Sequence, residues 1–191
     1  MSSLKADFDE LVKQIRHGRE VGHASFEPVY YLIFPPEEIL LVKRQTPAFI
    51  SRLKNEGWHV KQFSIREQIA EFLQNDPLWS LWTTLDRRKP QNWKATNESL
   101  ANALTQGEAL QNKLAAWIEE HSAEKDSLIL VTDLEALHPY VRIGTIESQL
   151  QSRFKIPTVF LYPGVRTGKT RLKFLGFYPE DGNYRSVHIG G

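Results

Sequence analysis

Ser127-Leu128-Ile129-Leu130-Val131-Thr132-Asp133 and Pro157-Thr158-Val159-Phe160-Leu161-Tyr162 decide the fold. Each is a short, nearly unbroken apolar run rich in β-formers, the signature of a strand covered on both faces. Between them Ile143, Ile146 and Leu150 recur at helical spacing. Two buried strands joined through one helix need a crossover, which makes them parallel neighbours in a right-handed unit.

The same reading extends outward. Val29-Tyr30-Tyr31-Leu32-Ile33-Phe34, closed by Pro35-Pro36, predicts another buried strand, and Trp58 to Phe63 reads as a further strand. Glu37 to Arg44 predicts a short helix, and Thr46-Pro47 the start of a separate one, since proline suits a first helical turn. Ser64-Ile65-Arg66-Glu67 is a capping box opening the next helix. Asp76 to Thr96 is the least regular stretch; Asn97 to Thr105 and Glu108 to His121 predict helices. The portion from about 76 to 121 therefore reads as a helical insert between strands, with no Gly/Ser linker marking a boundary. Leu4, Phe8, Leu11, Val12 and Ile15 form the apolar face of a helix over about 3–17. This face is expected either to pack on the parent sheet or to dock on a partner. At the other end, Leu172 to Tyr178 and Tyr184 to Ile189, linked by Pro179-Glu180-Asp181-Gly182-Asn183, predict an antiparallel hairpin. The fold class is α/β: a mostly parallel twisted sheet with helices on both faces and a C-terminal antiparallel hairpin, in one domain over 1–191.

Composition agrees with a folded domain. Of the 191 residues, 41% are hydrophobic and 25% charged, and roughly 100–200 residues is the usual domain size. Cysteine is absent, which excludes disulfide scaffolds, thiolate metal sites and cysteine nucleophiles and permits a cytoplasmic location. No apolar run approaches the ~20 residues that span a bilayer. Met1 to Arg16 alternates charged with apolar residues, unlike a secretory signal. The formal net charge is +1, yet eight basic and only three acidic residues fall from Val141 onward. A basic half of this kind suits either phosphates or an acidic partner, or is simply a solvated surface.

Motifs for chemistry are scarce. Gly164-Val165-Arg166-Thr167-Gly168-Lys169-Thr170 looks like a phosphate loop, but only three residues separate its glycines. The residues after Thr170 alternate like a strand, so no helix N-terminus receives an anion, and a hairpin loop is the better reading. Asp133 ends a buried strand, and with Glu135 it is expected beyond the carboxyl ends of the sheet, where open α/β folds bind ligands. It reads either as a magnesium-side carboxylate or as a cap. His138, Tyr140 and Arg142 come soon after and either line the same crevice, Arg142 offering a fork to an anion or carboxylate, or belong to a loop that only connects strand to helix. The six histidines show no helical metal-ligand spacing, and no Gly-x-Ser-x-Gly elbow occurs. Trp79, Trp82 and Trp93 near Arg87-Arg88-Lys89 invite a single-strand nucleic-acid reading, although helix packing explains the tryptophans more simply.

Several of these segments together resemble one family. Tyr31-Leu32-Ile33-Phe34-Pro35, the Leu128–Asp133 strand, His138-Pro139-Tyr140-Val141-Arg142 with Thr145, Phe160-Leu161-Tyr162-Pro163-Gly164, Leu172-Lys173-Phe174-Leu175-Gly176 and Gly182-Asn183-Tyr184-Arg185 are similar to the BrxB family of bacterial BREX bacteriophage-exclusion systems. The resemblance implies a non-catalytic accessory subunit, without cofactor, on a P-loop-NTPase-like fold lacking a working phosphate loop. It implies a PglZ-like, phosphatase-superfamily subunit as partner, beside a DNA methyltransferase and large ATPases, and carries no catalytic residues. The expected interaction residues are Asp133, Glu135, His138, Tyr140 and Arg142, or Leu4, Phe8, Leu11 and Ile15. Two other readings stay open: an unconventional nucleotide-binding or hydrolysing regulator, and a nucleic-acid-binding accessory.

Overall fold

In the computed structural model, which describes residues 3–21, 27–168, 171–182 and 186–191, each of the four strands expected from the sequence is present, three of them buried and the fourth, at the sheet's β2 edge, largely open. The order is α1 (Leu4–Val21), β1 (Val29–Phe34), α2 (Ile39–Asn55), β2 (His59–Ser64), α3 (Ile65–Asn75), α4 (Trp79–Arg88), α5 (Trp93–Thr105), α6 (Ala109–Ser122), β3 (Ser127–Thr132), α7 (Ile143–Gln149), β4 (Thr158–Arg166), β5 (Arg171–Phe174), β6 (Asp181–Gly182) and β7 (Val187–Gly190). The sheet runs β2-β3-β4-β1-β7, all neighbours parallel, and β5 and β6 extend β4 antiparallel.

Because side chains alternate along a strand, β1, β3 and β4 feed two cores. Tyr31, Ile33, Ile129, Val131, Phe160 and Tyr162 face α3 to α7; Tyr30, Leu32, Leu128, Leu130, Val159 and Leu161 face α1 and α2. All six residues of β1 and of β3 are buried, the pattern that a strand between two helical layers requires. The α7 crossover places β3 beside and parallel to β4, as the two apolar runs joined through one helix predict; the register sets Ile129 opposite Thr158.

Four expectations are corrected. First, the terminal strands do not pair with each other. Val187–Gly190 runs parallel to β1, Tyr31 opposite His188, and the antiparallel partners of β5 are β4 and the two residues of β6. The reason lies in β1: a wholly buried strand cannot leave one row of N–H and C=O groups unpaired, and β7 fills that edge. Tyr184, at the start of the expected strand, lies outside the described residues.

Second, Thr46-Pro47 does not open a new helix, because α2 runs straight through it. A proline inside a helix costs about 3 kcal/mol. Here Val42, Thr46, Phe49 and Leu53 make one buried stripe across Pro47, and burial of that stripe offsets the cost. The Thr46 hydroxyl donates to the Val42 carbonyl at 2.8 Å just before the proline.

Third, the stretch from Asp76 is not irregular but carries α4 and the first turn of α5. Fourth, of the two alternatives for the apolar face of α1, packing on the sheet holds, and the docking alternative is the one corrected. Leu4, Phe8, Leu11 and Ile15 are buried against β1, β7 and α2, with Phe8 stacked on Phe49 at 4.0 Å.

Candidate functional site

At the end of β3 the chain turns sharply. Asp133 takes φ +60°, in the left-handed region where short polar side chains are tolerated. Leu134 and Leu137, both buried, then anchor a short 3-10 turn. That turn holds the Asp133 and Glu135 carboxylates against α2, where Lys43 meets both, Nζ lying 2.7 Å from Asp133 and 2.5 Å from Glu135. Asp133 also accepts from the Ser64 hydroxyl at 2.7 Å and the Thr132 hydroxyl at 3.0 Å. Ser64 is the N-cap of α3, as its capping box predicts, so one hydroxyl ties α3 to the end of β3.

Lys43, Asp133 and Glu135 form the polar wall of a cleft of about 430 Å³ beyond the carboxyl ends of the strands. Gln62 and Thr132 complete that wall, while Phe34, Ile39, Val42, Ile50 and Leu161 make the apolar one. Burial pushes the Asp133 carboxyl up, but hydrogen bonds from Lys43, Ser64 and Thr132 outweigh it and hold it below the ordinary aspartate range. Burial likewise pulls the Lys43 ammonium down, and its two carboxylate partners more than reverse this. The site is therefore a closed ionic triad with one excess negative charge at neutral pH.

Such a cleft is poorly equipped for phosphate. Anion sites in α/β folds use free N–H groups at the helix that succeeds a strand. After β1 that turn is Pro35-Pro36-Glu37-Glu38: two residues without an N–H and two carboxylates. Lys43, the one cation lining the cleft among the described residues, is committed to Asp133 and Glu135. The Gly164 stretch forms the β4–β5 hairpin, Gly164 pairing with Phe174 and Arg166 with Leu172. Its Lys169 and Thr170 lie outside the described residues.

His138, Tyr140 and Arg142 do not share this cleft, correcting the expectation that they line it with Asp133. His138 is hydrogen-bonded through Nδ1 to the Tyr178 hydroxyl and meets Phe177 edge-on at 5.3 Å. Tyr140 packs on the core of the α3–α7 layer, and Arg142 edges a small hollow with Phe174, Tyr178 and Asp181. Of the three, His138 fastens the segment after β5 to the body. Lys43, the hub of the triad, has no signal in the sequence, because nothing in its helix marks a lysine that reaches another strand's end.

A second feature lies on α4. Among its described residues only Trp82 is buried, its indole N–H donating to Ser99 at 2.9 Å. Leu78, Leu81 and Leu85 are 43%, 50% and 39% exposed, and Trp79 and Trp93 are exposed as well, contrary to the expectation that packing occupies the tryptophans.

A family model described as "BREX protein BrxB" matches residues 61–189, from β2 to β7. The chain belongs to the BrxB family. As a BrxB-family protein it is a component of a BREX phage-defence system. The matched region contains Asp133, Glu135 and the whole of α4, and leaves α1, β1 and α2 with Lys43 outside it. No curated protein and no solved structure matches the chain. Among the described residues no helix is long and apolar enough to cross a membrane, and no group of three or more His, Asp or Glu side chains is placed to hold a metal.

Proposed function

We propose that this BrxB-family chain serves BREX defence as a non-catalytic subunit that acts by binding other proteins, with a PglZ-like subunit as its partner. The observation that carries this reading is the state of the strand-end cleft. Its ammonium is bonded to both of its carboxylates, and the turn before it offers prolines and glutamates where a phosphate needs N–H groups. The family membership supplies the pathway and supports association with other BREX components; the choice of a PglZ-like subunit among them is what the resemblance implies.

Co-expression with the PglZ-like subunit of the same system tests it. The two proteins are expected to elute together in size-exclusion chromatography at micromolar concentration. Separate elution overturns the reading.

The cleft's position and volume favour one second reading, a nucleotide-binding regulator, because open α/β sheets hold ligands where Asp133 lies. It requires Lys43 to leave both carboxylates when nucleotide arrives.

A further inference from the structure

Helix α4 is built the wrong way round for a helix that serves only its own domain. A ten-residue helix is marginal alone in water and normally persists by burying an apolar stripe. This one buries Trp82 and leaves Leu78, Leu81 and Leu85 in solvent. The three leucines recur at i, i+3 and i+7, which puts them on one helical face, and Arg88 continues that face one turn on. Singly exposed leucines are ordinary; a row of them ending in arginine on a nearly unburied helix is not.

The charges around the row are mainly basic. Arg87, Arg88 and Lys89 cluster at the carboxyl end of α4, and Lys94 comes next, lying over the Trp93 ring at 5.7 Å. The nearby acids are turned to other work. Asp76 accepts from the Leu78 N–H at 2.8 Å at the start of the helix, and Asp86 is close enough to Tyr140 to help raise its pKa. A binder for this surface therefore needs an apolar ridge for the leucines and carboxylates for the basic end.

We infer that the Leu78–Leu81–Leu85 face of α4, with Arg88 and its basic neighbours, is the docking surface for an acidic amphipathic helix of a protein partner. The inference rests on the protein-binding role proposed above. Helix-in-groove and helix-on-helix recognition use anchors at this spacing, and leucine with arginine beside exposed tryptophan provides both apolar contact and charge steering. A nucleic acid would use the cations and leave the leucine row wet; an extended strand would need a free sheet edge, which α4 does not offer.

The test uses the full chain co-expressed with the PglZ-like subunit and the other subunits of its system. Three chains are compared: wild type, Leu81→Glu/Leu85→Glu, and Arg88→Glu. All substituted positions are exposed, so circular dichroism and thermal midpoints are expected to match the wild type. Carbodiimide, which joins a lysine amine directly to a carboxylate, then maps what lies against Lys89 and Lys94. Coupling of either lysine to Asp or Glu on an amphipathic helical segment of a partner is expected. Retention of that partner should fall tenfold or more in both variants, the usual scale for a central anchor. If the wild type retains a partner and both variants retain it equally, α4 is not the surface, while the protein-binding role stands. If the wild type retains no partner, that role itself fails. Dimers of the isolated chain, capture on anionic vesicles, or a shift of single-stranded DNA, lost in Leu81→Glu/Leu85→Glu, would each give the face to a different occupant and overturn the inference.

Discussion

Lys43 on α2 and Asp133 at the end of β3 are bonded at 2.7 Å, and this pair closes the polar wall of the strand-end cleft. Asp133 is only 13% exposed while Lys43 is 40% exposed, so the carboxylate is the member that depends on the contact. Removing the partner of a largely buried charge costs more than the pair contributes net, because the orphaned charge stays out of water.

Lys43→Met is therefore expected to destabilise the fold by about 1–2 kcal/mol, the half-exposed lysine reducing the figure for a wholly buried pair. Urea unfolding measures it, and adding Asp133→Asn to the same chain should recover most of the loss. The pH dependence has a definite sign. The folded pKa of Asp133 is depressed, so its contribution is present above the unfolded value of 3.8 and is lost as pH falls through the lower folded value. The difference between wild type and Lys43→Met should fade over that acid window. A difference that stays constant to the acid limit would show that packing of the lysine stem, not its charge, is what matters.

Nucleotide binding is expected to be absent. Calorimetric titration with ATP or GTP and magnesium to millimolar concentration should give no saturable heat, with or without Asp133→Asn. Saturable heat abolished by Asp133→Asn would select the nucleotide reading. Gly164 supplies the control on the loop that spells like a phosphate loop. A Cβ there would stand 2.5 Å from the Tyr162 ring and 2.6 Å from the Lys173 carbonyl oxygen. Gly164→Ala should lower stability by about 1–3 kcal/mol through overpacking in the β4–β5 hairpin, and leave the titration flat.

How far the sequence can be read depends on where each residue's partner lies. The runs that form β1, β3 and β4 declare themselves because burial on both faces leaves an almost unbroken apolar run. Asp133 and Glu135 are legible as strand-end carboxylates for the same reason. Lys43 is not, because its role is set by the packing of α2 against the end of β3, which no local pattern encodes. The C-terminal strand is legible as a strand but not in its pairing: Asp181-Gly182 is a good turn signal, yet the open edge of β1 outcompetes a local hairpin. In α4 the leucine spacing is present throughout, but Pro77 and Pro90 close by and the scattered tryptophans hide it. A stripe facing outward also contributes nothing to the pattern of a core.

Helix α1 should behave as core. Phe8 is 2% exposed, stacks on Phe49, and carries the Arg52 guanidinium at 5.6 Å from its ring centroid. Phe8→Ala is expected to cost about 3–5 kcal/mol and to lower the thermal midpoint by roughly 10 °C at this chain length. Partner retention well below that midpoint should match the wild type. Loss of a partner with an unchanged midpoint would make α1 a docking surface after all.

His188 offers a check on β7. Its ring meets Tyr31 edge-on at 5.6 Å, and Nε2 is 3.1 Å from the Ser186 hydroxyl. Burial in the sheet, reinforced by the Arg166 charge, pushes its pKa down to about 4 from the ordinary 6.5. The unfolded chain thus takes up a proton at higher pH than the folded one. Stability should decline as pH drops from 6.5 towards 4 and level off below, by roughly 1–3 kcal/mol for this site once its partial exposure is allowed for. His188→Phe keeps an aromatic edge against Tyr31 and should flatten that slope. Ring-proton shifts in NMR read the site directly: they should hold constant through neutral pH and move only near pH 4. A midpoint near 6.5 in the folded protein would mean that β7 leaves His188 in water, and the parallel pairing with β1 would have to be redrawn.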